Sequence, residues 1–331
     1  MARNANNILL QKAKKSKSDE FYTLLEDIEN ELKHYPKCQF AGKVVYCNCD
    51  DPRTSNFYKY FAVNFNELGL KKLIASCYIE PKELNFVDSS YINAKGFYYE
   101  YTGSDNEKII PDTCDLISFQ GNGDFRNSES IALLQQADMV ITNPPFSLFR
   151  EYISQLVTYG KQFLVIGNIN AITYKEIFGL IQENKVWLGV NLGRGISGFI
   201  VPQYYELYGT ETRLDEFGNR IISPNNCLWL TNLYTPKHNE FISLTKRYIG
   251  NEGMYQRYDN YDGINVNRTQ DIPFDYIGYM GVPITFLHKF NPAQFEIVGF
   301  RKGSDGKDLS INGRCPYFRI LIRNKQISSP I

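Results

Sequence analysis

Apolar positions along this chain fall into short β-rich runs separated by stretches with helical spacing. Lys43-Val-Val-Tyr-Cys47 is a compact apolar run ending in turn residues, which predicts a buried strand. Thr54 or Ser55 can cap the helix that follows, in which Phe57, Tyr60, Phe61 and Phe65 share one face. Lys72–Tyr78 reads as a second strand, and residues 81–113 as a loop with a hairpin at Gly96–Tyr101. Asp115–Phe119 is expected as a third strand, Ser128–Gln136 as a helix, and Asp138–Thr142 as a fourth strand that stops at Asn143-Pro144-Pro145. A helix from Ser147 to about Tyr159, a strand over Gln162–Ile166 and a helix over Thr173–Glu183 continue the alternation. Gly198–Val201 and Cys227–Leu230 are expected to complete the sheet as a hairpin, across the turn-rich Asn219–Asn226. Strands alternating with helices predict an α/β fold, a mostly parallel, doubly wound sheet with a terminal antiparallel hairpin. After about Thr235 helical periodicity weakens and tyrosines interleave with basic residues. The expected division is therefore 1–235 and 236–331.

The turn Asn143-Pro144-Pro145-Phe146 carries the most specific chemistry. It follows a β-branched strand and precedes a helix, where an open parallel sheet binds its ligands. The Asn amide oxygen can accept from an exocyclic amino group, and the fixed φ of Pro144 aims its carbonyl as a second acceptor. Phe146 offers a flat face for a base, a stacking contact worth roughly 1–3 kcal/mol. Two acceptors on one amino group align its nitrogen lone pair for attack, as methyl transfer to adenine N6 requires. The plainer alternative is a rigid turn that only ends a strand.

Composition narrows the class. The 46 Tyr and Phe among 331 residues exclude a disordered chain, and no apolar run approaches the roughly 18 residues of a membrane span. The first residues predict no cleaved secretory signal. Seven cysteines read as reduced thiols of a cytosolic protein. Cys47-x-Cys49 lacks the second ligand pair that structural zinc needs, so no metal site is expected. Thirty-six cations balance 36 acids, but their placement is uneven. Residues 1–18 form a basic arm with Lys12, Lys14, Lys15 and Lys17, and the tail from Lys246 carries twelve cations against eight acids, Arg257 and Arg268 among them. Such stretches can face a polyanion. Gly193-Arg194-Gly195 with Gly198 is a glycine-rich loop without the strand–loop–helix context for phosphate binding. Beside a nucleic acid, Arg194 can instead touch a backbone, and sequence leaves both roles open.

Beyond the tetrapeptide, the chain resembles the EcoRI-type adenine-specific DNA methyltransferases. MARNANN, KAKKSKSDEFYT, VVYCNCDDPR, GFYYEY, NPPFSLF, WLGVNLGRG, SPNNCLWLTNL, YDNYDGINVN, MGVPITFLHKFNP and GRCPYFRILIRNK carry the resemblance along nearly the whole length. It implies a Rossmann-like methyltransferase fold with a smaller C-terminal DNA-recognition region. It also implies S-adenosylmethionine as cofactor, double-stranded DNA with a flipped-out adenine as substrate, and the inner adenine of GAATTC or a related site as target. A cytoplasmic bacterial or phage protein follows, with no membrane and no obligate protein partner, and with a cognate restriction endonuclease sharing the site without being bound. By the same resemblance, Phe21, Tyr22 and Thr23 close over the cofactor. Asn48, Asp50, Asp51 and Pro52 form its acidic loop, departing from the usual pattern by lacking glycine, and either Asp50 or Asp51 meets its ammonium. Glu80 is the candidate for its ribose hydroxyls. Asp124 and Phe125, after Gly123, are the candidates for its adenine. The competing readings are an amino-methyltransferase acting on RNA or protein glutamine, and a non-catalytic DNA-binding protein on the same fold.

Overall fold

Two compact units build the chain, Met1–Tyr174 with Gly189–Leu233, and Lys175–Leu188 with Tyr234–Ile331. The computed structural model describes residues 22–79, 95–191, 196–201, 212–223 and 226–325. In chain order the elements begin with strand β1 (Tyr22–Thr23), helix α1 (Leu25–Leu32) and strand β2 (Val44–Cys47). Helices α2 (Asn56–Val63) and α3 (Phe65–Leu68) lead into β3 (Lys72–Cys77), β4 (Phe97–Tyr101) and β5 (Ile117–Ser118). Next come α4 (Ser128–Gln136), β6 (Met139–Thr142), α5 (Phe149–Thr158) and β7 (Gln162–Asn168). Helix α6 (Lys175–Gln182) and β8 (Trp187–Leu188) belong to the second unit. The chain then returns to the first with β9 (Phe199–Val201), β10 (Thr212–Leu214), β11 (Arg220–Ile222) and β12 (Cys227–Thr231).

Strands β2 and β6 are buried at every residue, as expected of continuous apolar runs covered on both faces. In the first unit the large sheet runs β5-β4-β3-β2-β6-β7-β12. Its centre, β3-β2-β6-β7, is parallel, while β4, β5 and β12 pair antiparallel at the flanks. The result is a mixed α/β sheet. From β2 the chain goes first to β3 on one side and later to β6 on the other, so β2 and β6 meet where the winding reverses. Open sheets bind ligands at the carboxyl ends of such a strand pair. Of the two capping candidates it is Ser55 that caps α2, its Oγ accepting from the N–H of Phe57 at 3.1 Å and of Tyr58 at 3.3 Å.

Several elements depart from expectation. Residues 97–101 are one strand, not a hairpin, because alternate tyrosines pack inward: Tyr99 meets Tyr58 at 6.2 Å and Tyr101 meets Phe65 at 5.1 Å between ring centres. The third strand shrinks to the edge pair Ile117–Ser118, since Asp115 is taken into a 3₁₀ turn, its carboxylate accepting from Asp112 N at 2.7 Å. The expected hairpin does not form. β9 joins a separate sheet, β1-β9-β11-β10, and only β12 joins the large one. Gly198 explains the exchange, because a Cβ there would lie 2.4 Å from Ile221 and keep β11 away. β11 lies in the stretch read as turn. After Phe146–Leu148 forms a 3₁₀ turn, α5 begins only at Phe149 and buries Phe149, Tyr152, Ile153 and Leu156 on one stripe.

The second unit carries the sheet β13-β14-β16-β15, with β13 (Gly263–Asn265), β14 (Tyr279–Pro283), β15 (Phe295–Phe300) and β16 (Arg319–Asn324). Helix α6, expected with the first domain, packs here: Phe178 meets Phe300 at 5.0 Å, and Gln182 Nε2 donates to the Val298 carbonyl at 2.9 Å.

Candidate active site at the carboxyl ends of the parallel strands

The turn after β2 and the end of β6 are tied together by one carboxylate. Asp50 accepts from Thr142 Oγ1 at 2.5 Å and from Ser55 Oγ at 2.6 Å, and its own N–H donates to the Ser76 carbonyl at 2.9 Å. It thus joins the ends of β2, β3 and β6 to the cap of α2. Burial pushes its carboxyl up to about 6, against the lowering effect of the two hydroxyls. Next to it, Asp51 grips Arg53 with both oxygens, from Nη2 at 2.7 Å and Nε at 3.0 Å. Both acids of this turn are therefore engaged within the protein. Asn48 is buried, and its Oδ1 accepts from the Tyr152 hydroxyl of α5. Cys47 and Cys49 are free thiols that burial pushes well above the ordinary range.

Thr142 is immediately followed by the half-buried Asn143, the buried Pro144 and the half-buried Pro145 and Phe146. The Phe146 ring packs against the core and meets Phe199 of β9 edge-on, 6.2 Å between centres. Phe199 pairs with Thr23 across β9 and β1, and the Thr23 carbonyl accepts from Asn56 Nδ2 at 2.8 Å. Three segments far apart in sequence, 22–23, 143–146 and 199, thus meet beside the start of α2. Thr23 is 4% exposed, and its hydroxyl has no hydrogen-bond partner among the described residues. A buried hydroxyl in that state costs about 1–3 kcal/mol and fits an atom supplied by a ligand.

Sequence reading missed two acids that organise this wall. Asp27 and Glu31 lie one turn apart on α1, both buried. Glu31 accepts from Val190 N at 2.7 Å, Asn191 N at 2.9 Å and the Tyr35 hydroxyl at 2.8 Å. Asp27 accepts from Ser197 N at 2.9 Å, directly before β9. Burial raises both carboxyls. The available signal was their spacing, which puts them on the same helix face as Ile28 and Leu32.

Gly123 approaches the end of β3 so closely that a Cβ would lie 2.5 Å from the Cys77 carbonyl oxygen, and its φ of +80° also favours glycine. This brings Asp124 and Phe125 to the same edge. Phe125 is buried against Tyr152, ring centres 5.1 Å apart. The Asp124 carboxylate is held by Arg126 at 2.6 Å and 2.8 Å, which lowers its proton affinity.

The remaining candidates lie elsewhere. Phe21, Glu80, Arg194 and Lys12, Lys14, Lys15 and Lys17 fall outside the described residues. Arg257 and Arg268 belong to the second unit, both exposed, with Arg257 paired to Asp262 at 2.5 Å. Among the described residues, the one cluster with metal-ligand spacing is Asp112, Cys114 and Asp115, where Lys108 already pairs with both acids. No described helix is long and apolar enough to cross a membrane.

The family model described as "Adenine-specific methyltransferase EcoRI" matches residues 9–325. The chain belongs to this family of adenine-specific methyltransferases, enzymes that require a methyl donor. It is 67% identical over 327 residues to the type II methyltransferase M.EcoRI of Escherichia coli, with 99% of each chain covered. It is 38% identical over 339 residues to the type II methyltransferase M.MgeORF184P of Mycoplasma genitalium, covering 96% of this chain and 98% of that protein. A type II methyltransferase of Mycoplasma pneumoniae, M.MpnI, is 36% identical over 334 residues, covering 95% of this chain and 98% of the relative. No solved structure matches the chain.

Proposed function

We propose that the protein methylates N6 of an adenine flipped out of double-stranded DNA, using S-adenosylmethionine, as the protecting half of a restriction–modification pair. The observation that carries this reading is the Asn143–Phe146 turn at the end of β6, tied through Thr142 and Asp50 to the acidic turn of β2 where the winding reverses. The fold is read as Rossmann-like, and the second unit as the DNA-recognition region. Identity to M.EcoRI over nearly the whole chain makes GAATTC or a related site the expected target.

S-Adenosylmethionine, when bound, supplies a methyl group on a sulfonium that is already a good leaving group. The residues present fit it. Thr23 offers a buried hydroxyl without a described partner, Phe125 an aromatic wall, Asn48 and Pro52 the turn itself, and Asp50 and Asp51 negative charge for an ammonium. Tyr22 is half exposed on the same strand as Thr23 and completes the closing segment. Asp124, with both oxygens on Arg126, keeps spare lone pairs for an adenine amino group.

The chain's own contribution is placement. Asn143 Oδ1 and the Pro144 carbonyl accept from the two N6 protons, which turns the nitrogen lone pair toward the methyl group. Pro145 fixes the course of the turn, and Phe146 stacks on the base. With the cofactor bound, N6 placed this way would take the methyl group that the sulfonium supplies. The two acceptors stabilise the positive charge growing on N6 until its extra proton passes to water. Such positioning can supply up to roughly 7–11 kcal/mol of the barrier reduction. Flipping the base costs a few kcal/mol.

Asn143→Ala is expected to lower methyl incorporation into DNA by at least roughly a hundredfold, as loss of a preorganised hydrogen-bonding group does. Its affinity for the cofactor should stay close to normal. Near-normal turnover would refute the role of Asn143. Offering DNA, RNA and a glutamine peptide side by side tests the substrate, and a peptide or RNA preference would overturn the DNA reading.

A further inference from the structure

We infer that one loop end of the second unit's sheet, built from Asn267, Arg268, Arg301, Tyr317, Phe318 and Arg319, is a surface that stacks on and reads bases of double-stranded DNA; this rests on the DNA reading above. Strand directions bring these residues together. β13 ends at Asn265, β15 ends at Phe300 and β16 begins at Arg319, all at the same end of the sheet.

The surface is layered. Arg301 sits in the left-handed region at φ +68°, a strained conformation for a residue other than glycine, and such strain collects at functional sites. Asp308 grips its guanidinium at 2.7 Å through both Nε and Nη2. Held there, the guanidinium lies 4.3 Å over the Phe318 ring. Phe318 in turn stacks on Tyr317, centres 5.2 Å apart and planes 26° apart. Tyr317 is the outer layer and is 73% exposed. A cation and two rings, fixed from beneath and open above, form a platform for one more flat ring. Base stacking on an aromatic side chain supplies roughly ten- to hundredfold in affinity.

Beside the platform lie groups for base edges. Arg319 is locked by three acceptors, Asn265 Oδ1 at 2.9 Å, Asn267 Oδ1 at 3.0 Å and the Tyr317 carbonyl at 2.7 Å. It therefore ties Asn265 and Asn267 to Tyr317. With Oδ1 so used, exposed Asn267 is left its Nδ2 donors. The Arg268 side chain is exposed and forms no hydrogen bond or ion pair with any described residue, while its carbonyl accepts from Asp271 N at 2.9 Å. A guanidinium without an acid is suited to a guanine edge or a phosphate, and the two uses differ in outcome. Lone exposed aromatics are common on surfaces; a strained, salt-bridged support beneath one is not needed for solubility.

The test is methylated-adenine sequencing of DNA from cells expressing the full chain, Tyr317→Ala or Arg268→Ala, with kcat/KM on the mapped site and affinities for that site, random duplex and S-adenosylmethionine. Both side chains are exposed, so folding is preserved, and unchanged cofactor affinity verifies it. Arg268→Ala should relax one position of the methylated sequence, lowering discrimination there about ten- to hundredfold while random-DNA affinity stays nearly constant. Tyr317→Ala should lower kcat/KM on the mapped site about tenfold or more. An unchanged sequence context with unchanged kcat/KM would overturn the inference. So would an equal loss of affinity for mapped and random DNA, which marks a phosphate grip only. If the unsubstituted chain methylates no adenine in DNA, the DNA reading itself fails; the other outcomes leave it standing.

Discussion

Asp50 shows how a single residue proposed to face a ligand also serves architecture. Both its oxygens are taken by hydroxyls, and burial holds its carboxyl near 6, above the unfolded value of 3.8. A group whose folded proton affinity is raised favours folding fully below the unfolded value and loses that contribution as pH rises through the folded one. The window here is therefore about pH 4 to 6, and the loss amounts to about 3 kcal/mol at roughly 1.4 kcal/mol per tenfold change in proton affinity. Asn cannot titrate. The unfolding free energy of Asp50→Asn relative to the native chain should therefore rise between about pH 4 and 6 and then level off, measured by urea unfolding. A difference that stays flat across that range would show that Asp50 is not held as described.

At the scale of an element, α1 is the organiser of the wall beside Phe146. Glu31 satisfies the backbone at 190–191, and Asp27 satisfies it at Ser197, so a two-turn helix fixes the approach to β9 from both ends. Glu31→Ala would strip the acceptor from several buried donors, at roughly 1–3 kcal/mol each, and should destabilise the chain by at least about 3 kcal/mol. Glu31→Gln keeps one carbonyl oxygen and should recover part of that. Urea unfolding of the two variants checks it, and an alanine variant within about 0.5 kcal/mol of native would mean the network is dispensable.

For the whole molecule, a net charge of zero conceals a basic arm and a basic tail. If the arm holds DNA through phosphates, replacing Lys12, Lys14, Lys15 and Lys17 with Gln should weaken binding to mapped and random DNA alike. The slope of log affinity against log salt should fall by up to about 3–4. Binding titrations at several salt concentrations measure it, and an unchanged slope would remove the arm from the interface while leaving the assignment at Asn143–Phe146 intact.

What the chain determines locally was readable without coordinates. The strands at 44–47, 72–77 and 139–142, the helix at 128–136 and the Asn-Pro-Pro-Phe turn after a strand all follow from apolar runs, helical spacing and proline, which act within a few residues. The family resemblance was likewise carried by linear stretches. Choices of partner were not readable, because they depend on which surfaces meet. β9 and β12 look alike as apolar runs, yet Gly198 lets β11 close on one while β7 takes the other. Helix α6 has an ordinary amphipathic face, and only its packing on Phe300 and Val298 assigns it to the second unit. Asp50, Asp124, Asp27 and Glu31 are all acids in sequence. Only the tertiary structure decided that hydroxyls hold the first, a guanidinium the second, and backbone amides the last two, since a carboxylate's role is set by the donors that folding brings to it.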